Sequence, residues 1–519
     1  MGILQCNFSA VGSFLASRLR SRKEPIFLAC LSIAAFVLRF HSLGAHDLWY
    51  DEVSTVFFSQ HPVLSPSPSL YYWVMSLWIK IAGTSEMMLR FPSCVFSSLS
   101  VLCVYGLGKR LFGRQAAVYA AVFTGFSPLH LWYAQEARDY SLILLWGLLA
   151  SYFLVAALRN NRSICWGGFI FFSFAGICSS YWYSTLFGLH FFIAAFGLIK
   201  RKRKAQLAVL MLPVLSCAVF WSWARFKWQH EALYSWVPVP DVQSLIITLG
   251  NLVLGYHGTA PVYLAMNVVT CVLLFIAFRE LRNKSSRGNI LFCLALSAVP
   301  VILLYIFSRN AFPVYLDRGF LLFTPYLYFL LALGITRSPL FMRRSVVIII
   351  LALLLFGCYR YKKDEMSGQI RHHIGVHSKK PVRPINEYIK ENFLSGDRVM
   401  FMNESLAASV IYYSGFDRRY SFLYAVDPRS IRYPLSRRLP EMVEFVYYKD
   451  ILDLEWGRLW VIVSSWSRDG ALDKHGRAVN GWLNDHLKVV SVREFDGEKV
   501  VLYERLLTKK SVGGRSGES

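Results

Sequence analysis

The stretch "IFLACLSIAAFVLRFHSLGAHDLWYDEVSTVFFSQHP" (Ile26–Pro62) runs from an apolar segment into a loop with two adjacent carboxylates, Asp51 and Glu52. Trp49, Tyr50, Phe57 and Phe58 frame that pair. An apolar segment of this length reads as a membrane span. The carboxylates therefore stand where the chain leaves a bilayer, and their meaning depends on which side they face.

The rest of the chain repeats the apolar half of this pattern. Of 519 residues, 55% are hydrophobic and 17% charged, against about a quarter charged in soluble chains. Candidate spans fall at 26–43, 88–108, 115–133, 140–158, 164–180, 183–199, 205–224, 261–278, 289–307, 319–336 and 345–358. Each is near the ~20 residues that a crossing helix needs. The run 245–256 reads as an interfacial helix or half a span. "SLYYWVMSLWIKIAG" (Ser69–Gly83) reads as an interfacial helix, because Trp and Tyr prefer headgroup depth. The expected fold class is a polytopic α-helical membrane protein of about 11–13 transmembrane helices with a small C-terminal soluble α/β domain. A cleaved signal is not expected, since the basic N-terminus leads into a span with no small-residue cleavage pattern.

The basic residues orient these spans. Arg18, Arg20, Arg22 and Lys23 precede the first. Lys109, Arg110 and Arg114 follow the second, Arg159 and Arg162 the fourth, and Lys200–Lys204 the sixth. Arg279, Arg282, Lys284 and Arg287 follow the eighth, and Arg337, Arg343 and Arg344 the tenth. If the spans alternate, all lie on one side, which the positive-inside rule makes cytoplasmic. A net charge of +24 distributed in this way argues against a nucleic-acid-binding face. The Asp51–Glu52 loop and the C-terminal domain then face outward.

Other charges share that outer face. They are Arg90 in "MLRFPS", Glu136 and Arg138 in "YAQEARDYS", and Arg318 beside Asp317 in "VYLDRGF". Ionisable groups at membrane depth tend to face a polar cavity or a partner. Arg binds phosphate oxygens bidentately, and a nearby carboxylate can take a proton from an attacking hydroxyl. Collected together, these are parts for displacing a lipid phosphate from a sugar. Plainer readings exist for each residue. Asp51 and Glu52 also suit a solvated interfacial pair, Glu136 and Arg138 a turn salt bridge, Arg90 a snorkelling cation, and Arg318 an ion pair with Asp317.

The segments "LWYDE", "SPSLYYWVMSLWIKIAGTSEMMLRFPS", "KRLFGRQAAVYAAVFTGFSPLHLWYAQEARDYSL" and "YLDRGFLLFTPYLYFLLALG" resemble the glycosyltransferase family 39-type enzymes. These include the protein O-mannosyltransferases and the lipid A aminoarabinose transferases, which have the C-type membrane glycosyltransferase (GT-C) fold. The resemblance is dense over residues 40–160 and returns near 315–335. It implies a membrane glycosyltransferase that moves a sugar from a polyprenyl-phosphate-linked donor to an extracytoplasmic acceptor (protein, lipid or glycan) by inverting displacement. The alternative is a transporter or flippase of lipid-linked sugars, although no internal repeats or broken helices are evident.

The catalytic candidates are Asp51 and Glu52, with Asp51 favoured as base by the resemblance. Substrate-binding candidates are Arg90, Glu136, Arg138, Tyr140, Arg318, Lys80 and Tyr71. "SPSLY" departs from the family by placing Ser67 where a cation is common, which leaves Lys80 or Arg90 to replace it. No cofactor is assigned and divalent-metal dependence is unknown. His46, His61 and His130 show no converging ligand set, and the ten cysteines show no CxxC or zinc-type spacing.

"SSYWYS" (Ser179–Ser184) and "WQHEALYSWVPVP" (Trp228–Pro240) read as interfacial belts, with sugar stacking open for Trp228 or Trp236. The expected organisation is a cytoplasmic segment 1–25, a transmembrane glycosyltransferase domain 26–358 with its first outer loop at 44–88, an extracytoplasmic α/β domain 359–506, and a disordered tail 507–519. In the α/β domain, "RLWVIVSS" reads as a buried strand, and "KVVSVREFDGEKVVLYERL" as two strands around an Asp-Gly turn. The expected setting is a bacterial inner membrane, with the N-terminus cytoplasmic and the C-terminal domain periplasmic. The expected partners are the lipid-linked donor, the acceptor and the bilayer, and no nucleic acid.

Overall fold

The computed structural model describes residues 8–65, 70–200, parts of 202–218, 237–366, 381–402, 404–415, 422–425, 443–463 and 474–506. The readings of Ser67, Trp228, Trp236, half of the 205–224 span and the tail after 506 lie outside them. The chain divides into two compact units. One is helical and comprises α1 together with everything from Thr55 through the last long apolar helix. The other joins His46–Ser54 to the α/β segment near the C-terminus.

The helical unit contains α1 (Phe8–Phe40), most of α2 (Tyr50–Gln60), α3 (Leu70–Ala82), α4 (Glu86–Phe112), α5 (Arg114–Phe126) and α6 (Pro128–Ala134). It continues with α7 (Tyr140–Asn160), α8 (Ser163–Ser179), α9 (Tyr183–Lys200), α10 (Val242–Leu254), α11 (Ala260–Arg279) and α12 (Lys284–Asn310). The last members are α13 (Asp317–Phe320), α14 (Thr324–Arg337) and α15 (Leu340–Lys362). Among the described residues, seven helical segments are long and apolar enough to cross a bilayer. The protein is an integral membrane protein.

Burial separates the centre of this unit from its rim. In the Asp317–Arg337 segment, 94% of the apolar window is buried, whereas in Leu340–Lys362 only 17% is. A helix that is apolar all round belongs either in a core or against lipid. Here α14 takes the core and α15 the lipid face. At 13 residues, α10 is about 20 Å long, too short for a hydrocarbon layer of about 30 Å.

The single span expected at 115–133 is two helices. The break falls at Ser127–Pro128, where the ring removes a backbone donor and disfavours helical geometry at the preceding residue. Ser127 caps α6 by accepting the His130 amide at 3.4 Å. The carbonyls exposed at the end of α5 are taken by Arg39 of α1, whose guanidinium donates to Thr124 O and Gly125 O, both at 2.8 Å. It also donates to Ser97 Oγ at 2.9 Å and Ala35 O at 3.0 Å. Arg39 is wholly buried, and its charge is spread over the end of a helix, where a cation is favoured.

The aromatic run at 179–184 departs from the expected belt. Tyr183 is wholly buried. Its ring occupies the space where a Cβ on Gly176 would stand, and the Trp182 ring does the same over Gly319. Small residues facing large rings make these side chains packing elements of the helical core.

The α/β unit has a six-stranded sheet in the order β3-β2-β1-β4-β6-β5. Its strands are β1 (Arg398–Phe401), β2 (Phe422–Ala425), β3 (Val443–Val446), β4 (Arg458–Val463), β5 (Leu487–Phe495) and β6 (Glu498–Arg505). The first four pair in parallel, while β4–β6 and β6–β5 are antiparallel. Helices α16 (Arg383–Asn392), α17 (Glu404–Tyr413) and α18 (Lys474–His486) belong to the same unit.

The Asp-Gly turn joins β5 to β6 as expected. Asp496 and Gly497 have φ of 45° and 83°, the double positive φ that a two-residue hairpin favours. Strands β2 and β3 were not expected from sequence. Asp397 pins the start of β1. It accepts from Arg458 Nη2 at 2.6 Å, Trp460 Nε1 at 2.9 Å and the Leu394 amide at 2.9 Å.

Candidate functional site

Within the helical unit, the turn between α6 and α7, Gln135–Asp139, gathers most of the expected residues. Gln135 is structural. Its amide donates to Arg39 O at 2.6 Å and His41 O at 2.9 Å, and its Oε1 accepts from the Tyr361 hydroxyl at 2.6 Å. The side chain therefore ties the ends of α1 and α15 to the turn, and Lys362 adds a bond to His41 O. With that frame fixed, the Arg138 amide donates to Glu136 O at 2.8 Å, and Ser93 of α4 donates to Arg138 O at 3.2 Å.

Glu136 is buried and Arg138 half-buried. The Arg138 guanidinium lies 6.0 Å from the centre of the Tyr140 ring. Tyr140 packs on Tyr133 at 4.9 Å between ring centres, and the Tyr133 hydroxyl meets that of Tyr256 at 2.6 Å. The backbone carrying Tyr256 passes close to α6 because Gly255 has φ of 65° and its Cα faces the Leu129 amide, which a Cβ would meet at 2.8 Å.

Tyr71 of α3 is buried in the same neighbourhood. Burial raises its phenol well above the ordinary range, Asp139 raises it further, and Arg138 opposes the rise. The Tyr256 phenol is raised first by burial and then by Asp317, with Glu136 adding and Arg318 opposing.

Asp317 does not pair with Arg318 as expected. Its carboxylate accepts from Thr248 Oγ1 and Asn251 Nδ2 of α10, both at 2.6 Å, and Tyr315 donates to Thr248 Oγ1 at 3.0 Å. The acid lies inside the α10 contact and is wholly buried, so neutral donors satisfy it. Arg90 is likewise buried, with Nη1 donating to Leu43 O at 3.0 Å. Full burial is inconsistent with snorkelling.

Lys80 stands apart. It is exposed near the C-terminal end of α3, nine residues and about 14 Å along the axis from Tyr71. His130 bonds Thr324 Oγ1 at 2.8 Å inside the helical core. Among the described residues, no group of three or more His, Cys, Asp or Glu is arranged to hold a metal.

In the α/β unit, Trp49 O accepts the amides of Glu52 and Val53 at 2.9 and 3.0 Å and so starts α2. Asp51 and Glu52 occupy the first turn, where carboxylates oppose the helix dipole favourably. Glu52 is buried and Asp51 half-buried. Just before them, Asp47 accepts the amides of Val382 and Arg383 at 2.7 and 2.8 Å and pairs with Arg383 Nε, while the Leu48 amide donates to the Tyr413 hydroxyl at 2.9 Å.

Residues 66–223 match the family described as dolichyl-phosphate-mannose-protein mannosyltransferase. The chain is similar in structure to ArnT from Cupriavidus metallidurans in the apo state, with a TM-score of 0.61 at 12% identity, covering 92% of this chain and 98% of that one. The same protein bound to undecaprenyl phosphate gives a TM-score of 0.60 at 12% identity, with 92% and 98% covered. The fold is the one seen in ArnT. No curated protein sequence matches the chain. The matched residues 66–223 include Tyr71, Lys80, Arg90, Glu136, Arg138 and Tyr140, while Asp51, Glu52 and Arg318 lie outside them.

Tyr133, Tyr256, Thr248 and Asn251 were missed from sequence. The short "LGYHG" (Leu254–Gly258) after an apolar helix was the available signal, with one glycine at each end of a Tyr-His pair.

Proposed function

We propose that this protein transfers a sugar from a polyprenyl-phosphate-linked donor to an extracytoplasmic acceptor. In this reading Asp51 takes the proton of the acceptor hydroxyl, with Glu52 as its neighbour. Arg138, with Arg90 or Arg318, holds the phosphate as the sugar leaves it. Displacement in one step inverts the anomeric centre. Tyr71 and Tyr140 line the phosphate side, and Glu136 orients the arginines.

The observation that carries this reading is the Gln135–Asp139 turn. It carries Arg138, whose half-buried guanidinium lies 6.0 Å from the centre of the Tyr140 ring, in a fold similar to that of a protein solved with undecaprenyl phosphate. A half-buried guanidinium beside phenols suits a phosphate monoanion or dianion, because it supplies a planar fork of donors where water is scarce. The basic loops support an arrangement with the N-terminus cytoplasmic and the catalytic face outside, and the family resemblance makes the proposed setting a bacterial inner membrane.

The deciding experiment incubates purified protein with a polyprenyl-phosphate sugar and an acceptor extract. Release of free polyprenyl phosphate that depends on acceptor is the expected result. Movement of intact donor across vesicles without release would replace this reading with transport.

A further inference from the structure

The α/β unit holds the segment that carries Asp51. Asp47 is buried, and both of its carboxylate oxygens are used. One accepts the Val382 and Arg383 amides at 2.7 and 2.8 Å, and the other pairs with Arg383 Nε. Those amides open α16, where the first backbone donors of a helix have no partner of their own and attract an anion. One residue later, the backbone of Leu48 donates to the Tyr413 hydroxyl of α17 at 2.9 Å. Arg383 also lies 5.8 Å from the centre of the Tyr413 ring, so both anchors belong to one cluster. Trp49 then caps α2, and Asp51 follows in its first turn.

We propose that Asp47 and Tyr413 are positioning residues that fix the start of α2, and with it the Asp51 carboxylate, from the C-terminal domain. The proposal rests on the base role given to Asp51 above. Three residues separate Asp47 from Asp51, and each carries a backbone bond, Leu48 to Tyr413, Trp49 to the amides of Glu52 and Val53, and Tyr50 to Ser54 Oγ. Little slack is left in the connection. A carboxylate that must meet a hydroxyl within hydrogen-bond reach loses rate steeply when displaced by about 1 Å. The two anchors act by different means. Asp47 also stabilises α16, whereas Tyr413 holds the loop by its hydroxyl, and Tyr413→Phe keeps the ring beside Arg383.

The test uses the full chain in detergent and compares Asp47→Ala, Asp47→Asn and Tyr413→Phe. The expected result is a kcat lowered roughly 10- to 100-fold in Asp47→Ala and Tyr413→Phe, with donor KM within about twofold of the parent. Asn at 47 recovers most of the rate, because its amide oxygen still accepts from α16. In a second measurement, maleimide labelling of Tyr50→Cys becomes about fivefold faster when Asp47→Ala is added, as local opening becomes easier.

Unchanged kcat and unchanged labelling would overturn the proposal. So would a slow, thermally destabilised Asp47→Ala beside a fully active Tyr413→Phe, which would make Asp47 a helix cap and nothing more. Labelling reads the anchor without the chemistry. Retained transfer in Asp51→Asn would remove the base role, while faster labelling in Asp47→Ala would still support the anchor.

Discussion

The Tyr361 hydroxyl donates to Gln135 Oε1 at 2.6 Å, joining the end of the last long helix to the turn that carries Arg138. Both side chains are buried, so neither can exchange its partner for water. Tyr361→Phe leaves an acceptor unsatisfied and should lower stability by about 1–3 kcal/mol. Thermal unfolding in detergent checks this, and an unchanged midpoint would count against the bond.

Arg138→Ala should weaken donor binding about 10- to 100-fold, the range expected for losing a charge-assisted contact. Arg138→Lys should recover only part of that, since an ammonium cannot form the bidentate fork. Titration with a polyprenyl phosphate measures both, and equal affinity in all three proteins would remove Arg138 from the phosphate role.

Asp51→Asn should reduce kcat by roughly 10²- to 10⁴-fold with donor affinity retained. Glu52→Gln separates the two carboxylates. If Glu52 is the base instead, its substitution gives the larger loss, and the assignment transfers to the buried member of the pair.

The α/β unit should lose stability in acid through Asp397. Burial alone would raise this carboxyl, but hydrogen bonds from Arg458, the Leu394 amide and Trp460 together hold it below its ordinary value of 3.8. A depressed folded-state pKa contributes stability that is complete above the unfolded value and disappears as pH falls through the folded one. Asp397→Asn should therefore unfold at neutral pH more readily than the parent and show a flatter acid limb below about pH 4. Parallel acid limbs in the two proteins would contradict this.

Much of this was legible in the residues. Apolar runs located the helices because length and hydropathy suffice for that. The Asp496–Gly497 hairpin was legible because its positive φ values restrict residue choice. What sequence could not supply was pairing over distance. Asp317 sits next to Arg318 in the chain, yet it bonds Thr248 and Asn251, 69 and 66 residues away. Gln135 precedes Glu136 in the chain, yet it bonds Arg39 O, His41 O and the Tyr361 hydroxyl, 96, 94 and 226 residues away. Strands β2 and β3 were missed because four-residue parallel strands carry no alternating pattern.

Arg39 imposes an order on biogenesis. The carbonyls that satisfy it belong to residues 85 and 86 positions later. At about 5–20 residues per second, they emerge roughly 4–17 s after the arginine itself. During that interval the guanidinium has only Ala35 O of its own helix, Ser97 once α4 has emerged, and water, lipid headgroups or the insertion machinery to bond. The first helix therefore enters the membrane with two of its buried bonds still unmade, and they close only when α5 arrives.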